Sequence, residues 1–245
     1  MIKTKLSVNI NKWATLRNAR GGNNPDLVAT ARQIQAFGAE GITVHPRPDE
    51  RHIKYADVAA IKSVISTEFN IEGYPNDSFI QLVLDNKPTQ VTLVPDPPGA
   101  LTSSFGRDTT ANFDQLKDVV GAFKEAGIRT SIFLDPKPEM VVPLVEIGAD
   151  RIELYTETYA SAYHTERREA VLKGFIETGQ KAAELGIGVN AGHDLDLDNL
   201  HHFLQNVPNV LEVSIGHALI CDAIQYGLQN VVQMYKARCQ PEYSL

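Results

Sequence analysis

Gly41-Ile42-Thr43-Val44-His45-Pro46-Arg47-Pro48-Asp49-Glu50-Arg51-His52-Ile53 is the stretch from which the fold is read. Residues 42–44 form a short buried strand in this reading, because β-branched side chains run together behind a glycine. Proline fixes its own φ and disfavours helix in the residue before it, so Pro46 and Pro48 hold His45 and Arg47 extended at the strand's end. From 55 to about 66, Val58, Ile61 and Ile65 fall at helical spacing. The unit is therefore strand, loop, helix, and the loop carries His45, Arg47, Arg51 and His52. Cationic and proton-exchanging groups on a stiff loop suit an anionic ligand. A solvated loop is the competing reading, above all for Arg51 and His52.

Outward from this stretch the same unit recurs. Upstream, a strand over 6–10 ends in Asn9 and is followed by a polar stretch to Gly22, after which a helix runs from 25 to about 37. Downstream, strands are predicted over 69–73, 91–94, 130–134, 151–155, 188–193 and 210–215. Helices alternate with them over 78–84, 113–126, 138–147, 165–185, 197–204 and 218–238. The segment 96–111 is rich in Pro, Gly, Ser and Thr without a periodic pattern, as expected of a lid or binding loop. Eight alternations imply parallel strands with right-handed helical crossovers, and 245 residues match the usual size of a (β/α)8 TIM barrel. A doubly wound open sheet is the rival, but it would normally carry a Gly-rich phosphate turn after its first strand. Gly21-Gly22 comes too late for that. With no shift of composition along the chain, residues 1–245 read as one α/β barrel domain with additional helices.

Composition narrows the function classes. Hydrophobic residues make up 43% and charged residues 22%, as in an ordinary globular protein. A formal charge of −7 argues against a nucleic-acid partner, so local basic clusters such as Arg17, Arg20 and the 47–52 loop are expected to be small-anion sites. No apolar run is long enough for a membrane span, and the start lacks the apolar core of a signal peptide. Cys221 and Cys239 have no metal-type spacing, which fits a reduced, cytoplasmic protein. No H-x-H or H-x-x-x-H pair suggests a metal.

In a barrel the chemistry sits at the C-terminal mouths of the strands. Those positions here are Asn9, His45, Glu72, the loop around Thr102, Asp135, Glu153, His193 and Gly216-His217. A carboxylate between Ile71 and Gly73 is costly unless paired, which marks Glu72; Glu153 could equally be a structural ion-pair partner. Strands seven and eight end alike, as Gly192-His193-Asp194 and Gly216-His217-Ala218. Loops in these places often bind phosphate through glycine backbone and a helix N-terminus. Asp194 would be a poor neighbour for phosphate, so its side chain is expected to face away or to leave only its backbone. Two anion sites follow, one around Arg47 and His52 and the other around Gly216, His217 and Arg20. Between them lie His45, Glu72 and His193, able to exchange protons near neutral pH. Lys12 is the only lysine near a strand end, which weakens a Schiff-base aldolase. Residue chemistry alone stops at acid–base catalysis on phosphorylated substrates. An isomerase or lyase acting on one phosphosugar, and a barrel that binds phosphometabolites without turning them over, both stay open.

Five stretches carry a resemblance to a family. Val8-Asn9-Ile10-Asn11-Lys12 with Ala14-Thr15-Leu16-Arg17-Asn18-Ala19-Arg20, the stretch 41–53, Asn190-Ala191-Gly192-His193 and Ile215-Gly216-His217 resemble pyridoxine 5′-phosphate synthase over essentially the whole chain. The resemblance implies a (β/α)8 barrel, assembled as a homo-octamer from dimers. It also implies condensation of 1-deoxy-D-xylulose 5-phosphate with 3-amino-2-oxopropyl phosphate, without metal or organic cofactor. By position, His45 and Glu72 resemble the proton acceptors, His193 the proton donor, and Glu153 a group stabilising the transition state. Asn11, Lys12, Arg47, His52 and Thr102 match positions that hold deoxyxylulose phosphate. Asn9, Arg20 and Gly216-His217 match those that hold the amino-ketone phosphate, and Asp194 is counted with the substrate-binding positions. The 96–111 segment matches a closing loop. Two departures stand out: Asn11-Lys12 replaces a common Asp-His, and Asp194 replaces the Gly that commonly follows the catalytic His.

Overall fold

A computed structural model describes residues 3–96 and 105–240. Strands β1 (Lys5–Asn9), β2 (Gly41–Val44), β3 (Glu68–Gly73), β4 (Gln90–Leu93), β5 (Arg129–Leu134), β6 (Arg151–Leu154), β7 (Gly188–Ala191) and β8 (Val210–Ile215) pair in chain order, all parallel, and β8 closes on β1. The (β/α)8 barrel is thus observed. Each strand alternates with period two. Leu6 and Val8, Ile42 and Val44, Phe69 and Ile71, and Ile152 and Leu154 point outward into one continuous apolar core under the helices. Ser7, Thr43, Asn70, Thr92, Glu153 and Asn190 point inward, so the barrel's own interior is polar, in place of the branched apolar layers that usually fill it.

Inside, many of the polar groups pair in tiers, although Gln90 Nε2, Ser131 Oγ, Asn190 Nδ2 and Ser214 Oγ are buried without a partner among the described residues. At the N-terminal end Glu68 takes hydrogen bonds from Lys5 and Arg129, while Glu212 lies 4.0 Å from Arg129 and 3.8 Å from Arg151. One step up, Ser7 and Thr43 hydroxyls meet at 2.8 Å and Thr92 donates to Asn70 at 3.1 Å. Burial raises the Glu212 carboxyl to about 7 even with two arginines near, because neither guanidinium is in full contact. Glu68 behaves oppositely. Burial opposes its charge, but hydrogen bonds from Lys5 and Arg129 outweigh that and hold it at about 2.

The helices differ from the sequence reading in four places. The polar stretch after β1 is a helix, α1 (Asn11–Arg20), whose preceding residue Ile10 offers no capping side chain. Helices α2 (Leu27–Ala36), α3 (Tyr55–Lys62), α4 (Asp77–Asn86) and α5 (Phe113–Glu125) follow as expected, α2 capped by Asp26 and α4 by Asn76. The single helix expected over 138–147 is a 3-10 turn, Pro138–Met140, and a short α6 (Leu144–Ile147), since Pro143 lacks the N–H to continue the ladder. An extra α7 (Glu157–Ala162) precedes α8 (Arg168–Glu184), and α9 is Leu200–Asn206. The closing helix is two, α10 (His217–Tyr226) and α11 (Leu228–Arg238), broken at Gly227 with φ 81°. Among the described residues no helix is long and apolar enough to cross a membrane.

Candidate active site

A cavity of about 580 Å³ opens at the C-terminal mouths of the strands. Its floor is Glu72 from β3, Glu153 from β6, and Val94 and Phe133 beside them. One wall is formed by Asn11, Lys12, His45, Arg47 and His52, the opposite wall by His193, Asp194, Gly216 and His217. Asn9 joins them along the β1–β8 seam.

His45 and Glu72 approach at 3.9 Å, both buried. Burial, together with Arg47, His52 and Arg51, pushes the imidazole's proton affinity well below its ordinary value. Burial and the nearby Glu153 and Asp96 push the Glu72 carboxyl well above its own. Glu153 is raised too, by burial and by Glu212, although the Thr92 hydroxyl lies 3.3 Å from its Oε2. Two carboxyls so placed cannot both ionise cheaply, so the pair retains a proton near neutrality while His45 is neutral. The His45 backbone is held from behind, since its main-chain N–H donates to Asn11 Oδ1 at 2.9 Å. Asn11 is itself fixed by a 3.0 Å hydrogen bond from its N–H to Asn9 Oδ1.

The cationic wall is divided among partners. Arg47 pairs with buried Asp96 at 2.9 Å, and Asp96 is the last described residue before 97–104. His52 Nδ1 accepts the Ile53 N–H at 2.9 Å, which puts the neutral ring's proton on Nε2. Burial and Arg47 lower that ring to about 4, so it serves as a neutral donor. Arg51 bonds to Asp49, in line with the solvated or ion-paired role that the sequence left it. Arg17 is a correction. It is buried in a two-pronged ion pair with Asp57, at 2.7 and 2.8 Å, and is no anion site. Lys12 lines the cavity and is exposed to solvent, whereas Arg20, at the far end of α1, is exposed and does not line it.

On the other wall, Gly192 and Gly216 bring the backbone close. A Cβ on Gly192 would meet Ser214 O at 2.2 Å, and one on Gly216 would meet Asn9 Cβ at 3.2 Å. Gly216 immediately precedes α10, which starts without a side-chain cap, so its first N–H groups open toward the cavity where Gly216, His217 and Ala218 line it. Asp194 departs from expectation. Its side chain neither faces away nor leaves only backbone in the site; it takes a 2.6 Å hydrogen bond from His193 Nδ1.

The structure therefore gathers Asn9, Asn11, Lys12, His45, Arg47, His52, Glu72, Glu153, His193, Asp194, Gly216 and His217 around one cavity. Thr102, and residues 97–104 of the expected 96–111 lid, lie outside the described residues. Its flanks are anchored: Asp96 binds Arg47, Gly106 N–H donates to Asp135, and the Arg107 guanidinium donates to Val94 O at 2.7 Å. Asp96, Arg107 and Asn11's hold on the His45 backbone were not read from the sequence as parts of the site. Only Asp96 gave a signal, an acid beside a strand-ending proline.

A family described as pyridoxal phosphate biosynthesis protein PdxJ matches residues 6–241. The chain belongs to that family. A pyridoxine 5′-phosphate synthase of Cytophaga hutchinsonii is 57% identical over 95% of this chain and 97% of its own length. Another, of Bacteroides thetaiotaomicron, is 59% identical over 95% and 98%. Among solved structures, tryptophan synthase of M. tuberculosis superposes with a TM-score of 0.63 at 14% identity, covering 97% of this chain and 93% of that one. Thiamine phosphate pyrophosphorylase of Pyrococcus furiosus gives 0.61 at 14%, over 97% and 96%. These two speak for the barrel alone. The PdxJ family fits what the cavity contains, proton-exchanging groups between anion-attracting walls.

Proposed function

We infer that this protein is a pyridoxine 5′-phosphate synthase. It condenses 3-amino-2-oxopropyl phosphate with 1-deoxy-D-xylulose 5-phosphate to pyridoxine 5′-phosphate, releasing phosphate and water by acid–base catalysis. The observation that carries this reading, in a chain of the PdxJ family, is four proton-exchanging side chains, His45, Glu72, Glu153 and His193, lining one cavity whose walls suit phosphates. Arg47 and His52 hold the deoxyxylulose phosphate, with Thr102, Asn11 and Lys12 assigned to the same substrate. Gly216, His217 and Asn9 hold the amino-ketone phosphate through the start of α10, with Arg20 assigned to it from the resemblance. A phosphate reaching Arg47 must compete with Asp96.

The amine attacks the partner's carbonyl to give an imine. His45, neutral in the ligand-free site, is ready to accept a proton; Glu72 becomes an acceptor once a cationic amine favours its ionised form. The two relay protons through phosphate loss and hydration. Ring closure and aromatisation follow with His193 as acid and Glu153 stabilising the charge that develops. A closing loop over 96–111 keeps water from the imine and enol stages.

The assembly in this reading is a homo-octamer built from dimers, in the cytoplasm. Exposed apolar side chains, Leu16 on α1 and Ile224 and Tyr226 on α10, support a partner copy. Purified protein given both substrates is expected to release inorganic phosphate and form a product absorbing in the near ultraviolet. Turnover of either substrate alone, or none with both, rejects the reading.

A further inference from the structure

His193 is held from three directions. Its carbonyl accepts a hydrogen bond from the buried Thr156 hydroxyl, its ring stands edge-on to Tyr155 at 5.3 Å between centroids, and its Nδ1 meets Asp194 Oδ2 at 2.6 Å. Neighbours in sequence seldom make such a contact, because successive side chains diverge. Here the Leu195 N–H bonds to Gly192 O at 3.0 Å, which makes 192–195 a tight turn with Asp194 in its third place. Asp194 has φ 67°, the sign a type II turn needs there. That backbone turns the carboxylate back onto the preceding ring. Buried Leu195, and the Asn199 amide donating to Asp194 O at 3.3 Å, pin the turn from the far side.

We propose that Asp194 is a positioning residue for His193: its carboxylate fixes Nδ1 as the protonated ring nitrogen and so presents Nε2 as the nitrogen that exchanges a proton with substrate. A carboxylate only accepts, so the 2.6 Å contact requires the hydrogen on Nδ1. The His193 hydrogen bond holds the Asp194 carboxyl below the usual carboxylate range, so it is an acceptor at working pH. The contact also answers the objection to an acid beside a phosphate site, since the Asp194 charge is directed at an imidazole that becomes cationic whenever it carries the reaction's proton.

The proposal rests on the synthase reading for its catalytic consequence but not for its structural one, and the test separates them. Asp194→Gly removes the carboxylate while suiting the positive φ, so the turn survives. In protein labelled with 15N-histidine, solid-state NMR reads the tautomer of each of the seven histidines, with His193→Gln giving the assignment. Nδ1 of His193 is expected to be protonated in the unsubstituted protein, and the proton to move to Nε2 in Asp194→Gly. In the same variant kcat is expected to fall about 10- to 100-fold while KM for both substrates stays within about twofold. An unchanged tautomer overturns the proposal. So does a raised KM for one substrate at unchanged kcat, which would make Asp194 a substrate ligand. Absence of turnover in the unsubstituted protein would instead count against the synthase reading, leaving the NMR result to decide on Asp194.

Discussion

At 3.9 Å from each other, Glu72 and His45 have their ordinary proton affinities inverted, the carboxyl raised and the imidazole lowered by shared burial. Shared burial thus disfavours the charged form of each, the carboxylate and the imidazolium alike. Glu72→Gln keeps the shape and one donor but cannot exchange a proton. It is expected to lower kcat by about a hundredfold or more while phosphate-ligand affinity, read by calorimetry, changes less than about twofold. Glu153→Gln tests the other neighbour. With that negative charge removed, Glu72 ionises more readily, so the acidic limb of the kcat/KM profile moves to lower pH. A limb that stays in place, or moves to higher pH, would reject the coupling. Residue identities at most strand mouths were legible because six of the eight strands end at or within two residues of a Gly or Pro, all but β1 and β6. The directions of their side chains were not: Asp194 turns inward only because its φ is positive, and a single sequence carries no mark of that at an aspartate.

Helix α1 carries Asn11 and Lys12 at its first turn, and Ile10 ahead of it gives no capping hydrogen bond. What fixes it is Arg17, whose guanidinium reaches Asp57 at the start of α3, while Asp57 also accepts the Lys54 N–H at 2.7 Å. One carboxylate thus caps α3 and ties down α1. Asp57→Ala leaves Arg17 buried without its anion and is expected to lower stability by about 2–3 kcal/mol, discounted for the partly exposed carboxylate. Chemical denaturation measures that loss, and a raised KM should accompany it as Asn11 loses its footing. A stability change under about 0.5 kcal/mol would show the pair to be incidental. The same residues explain why α1 escaped a reading by periodicity. Its length is polar, its buried Arg17 looked like a free cation, and its stability comes from a contact forty residues away in sequence. The break at Gly227 escaped for a different reason, since apolar spacing continues through it on both sides.

Across the whole molecule the barrel's inner column is electrostatic while its outer shell is apolar, an arrangement the alternation within each strand encoded but that reads as two buried faces until the pairing is known. Glu68 anchors the column's lower end. Its carboxyl is lowered to about 2 in the folded protein, so its stabilisation is present above the ordinary value of 4.5 and is lost as pH falls through about 2. Glu68→Gln is therefore expected to cost about 1–2 kcal/mol at pH 7, allowing for solvent screening, with the difference shrinking as pH falls below about 4.5. Urea titrations at several pH values would show it, and a pH-independent difference would contradict it. The eightfold alternation made the barrel legible; its seam could not be read so directly. Asn9 at the end of β1 and Gly216 at the end of β8 touch, and β1 pairs with β8 along Lys5–Val8. The amino-ketone side of the cavity is thus made from the first strand and the last. During synthesis on a ribosome, seven strands can emerge and still leave that side unmade, so the nascent chain binds neither phosphate pair nor product until its final strand docks. Competence arrives in one step, with ring closure.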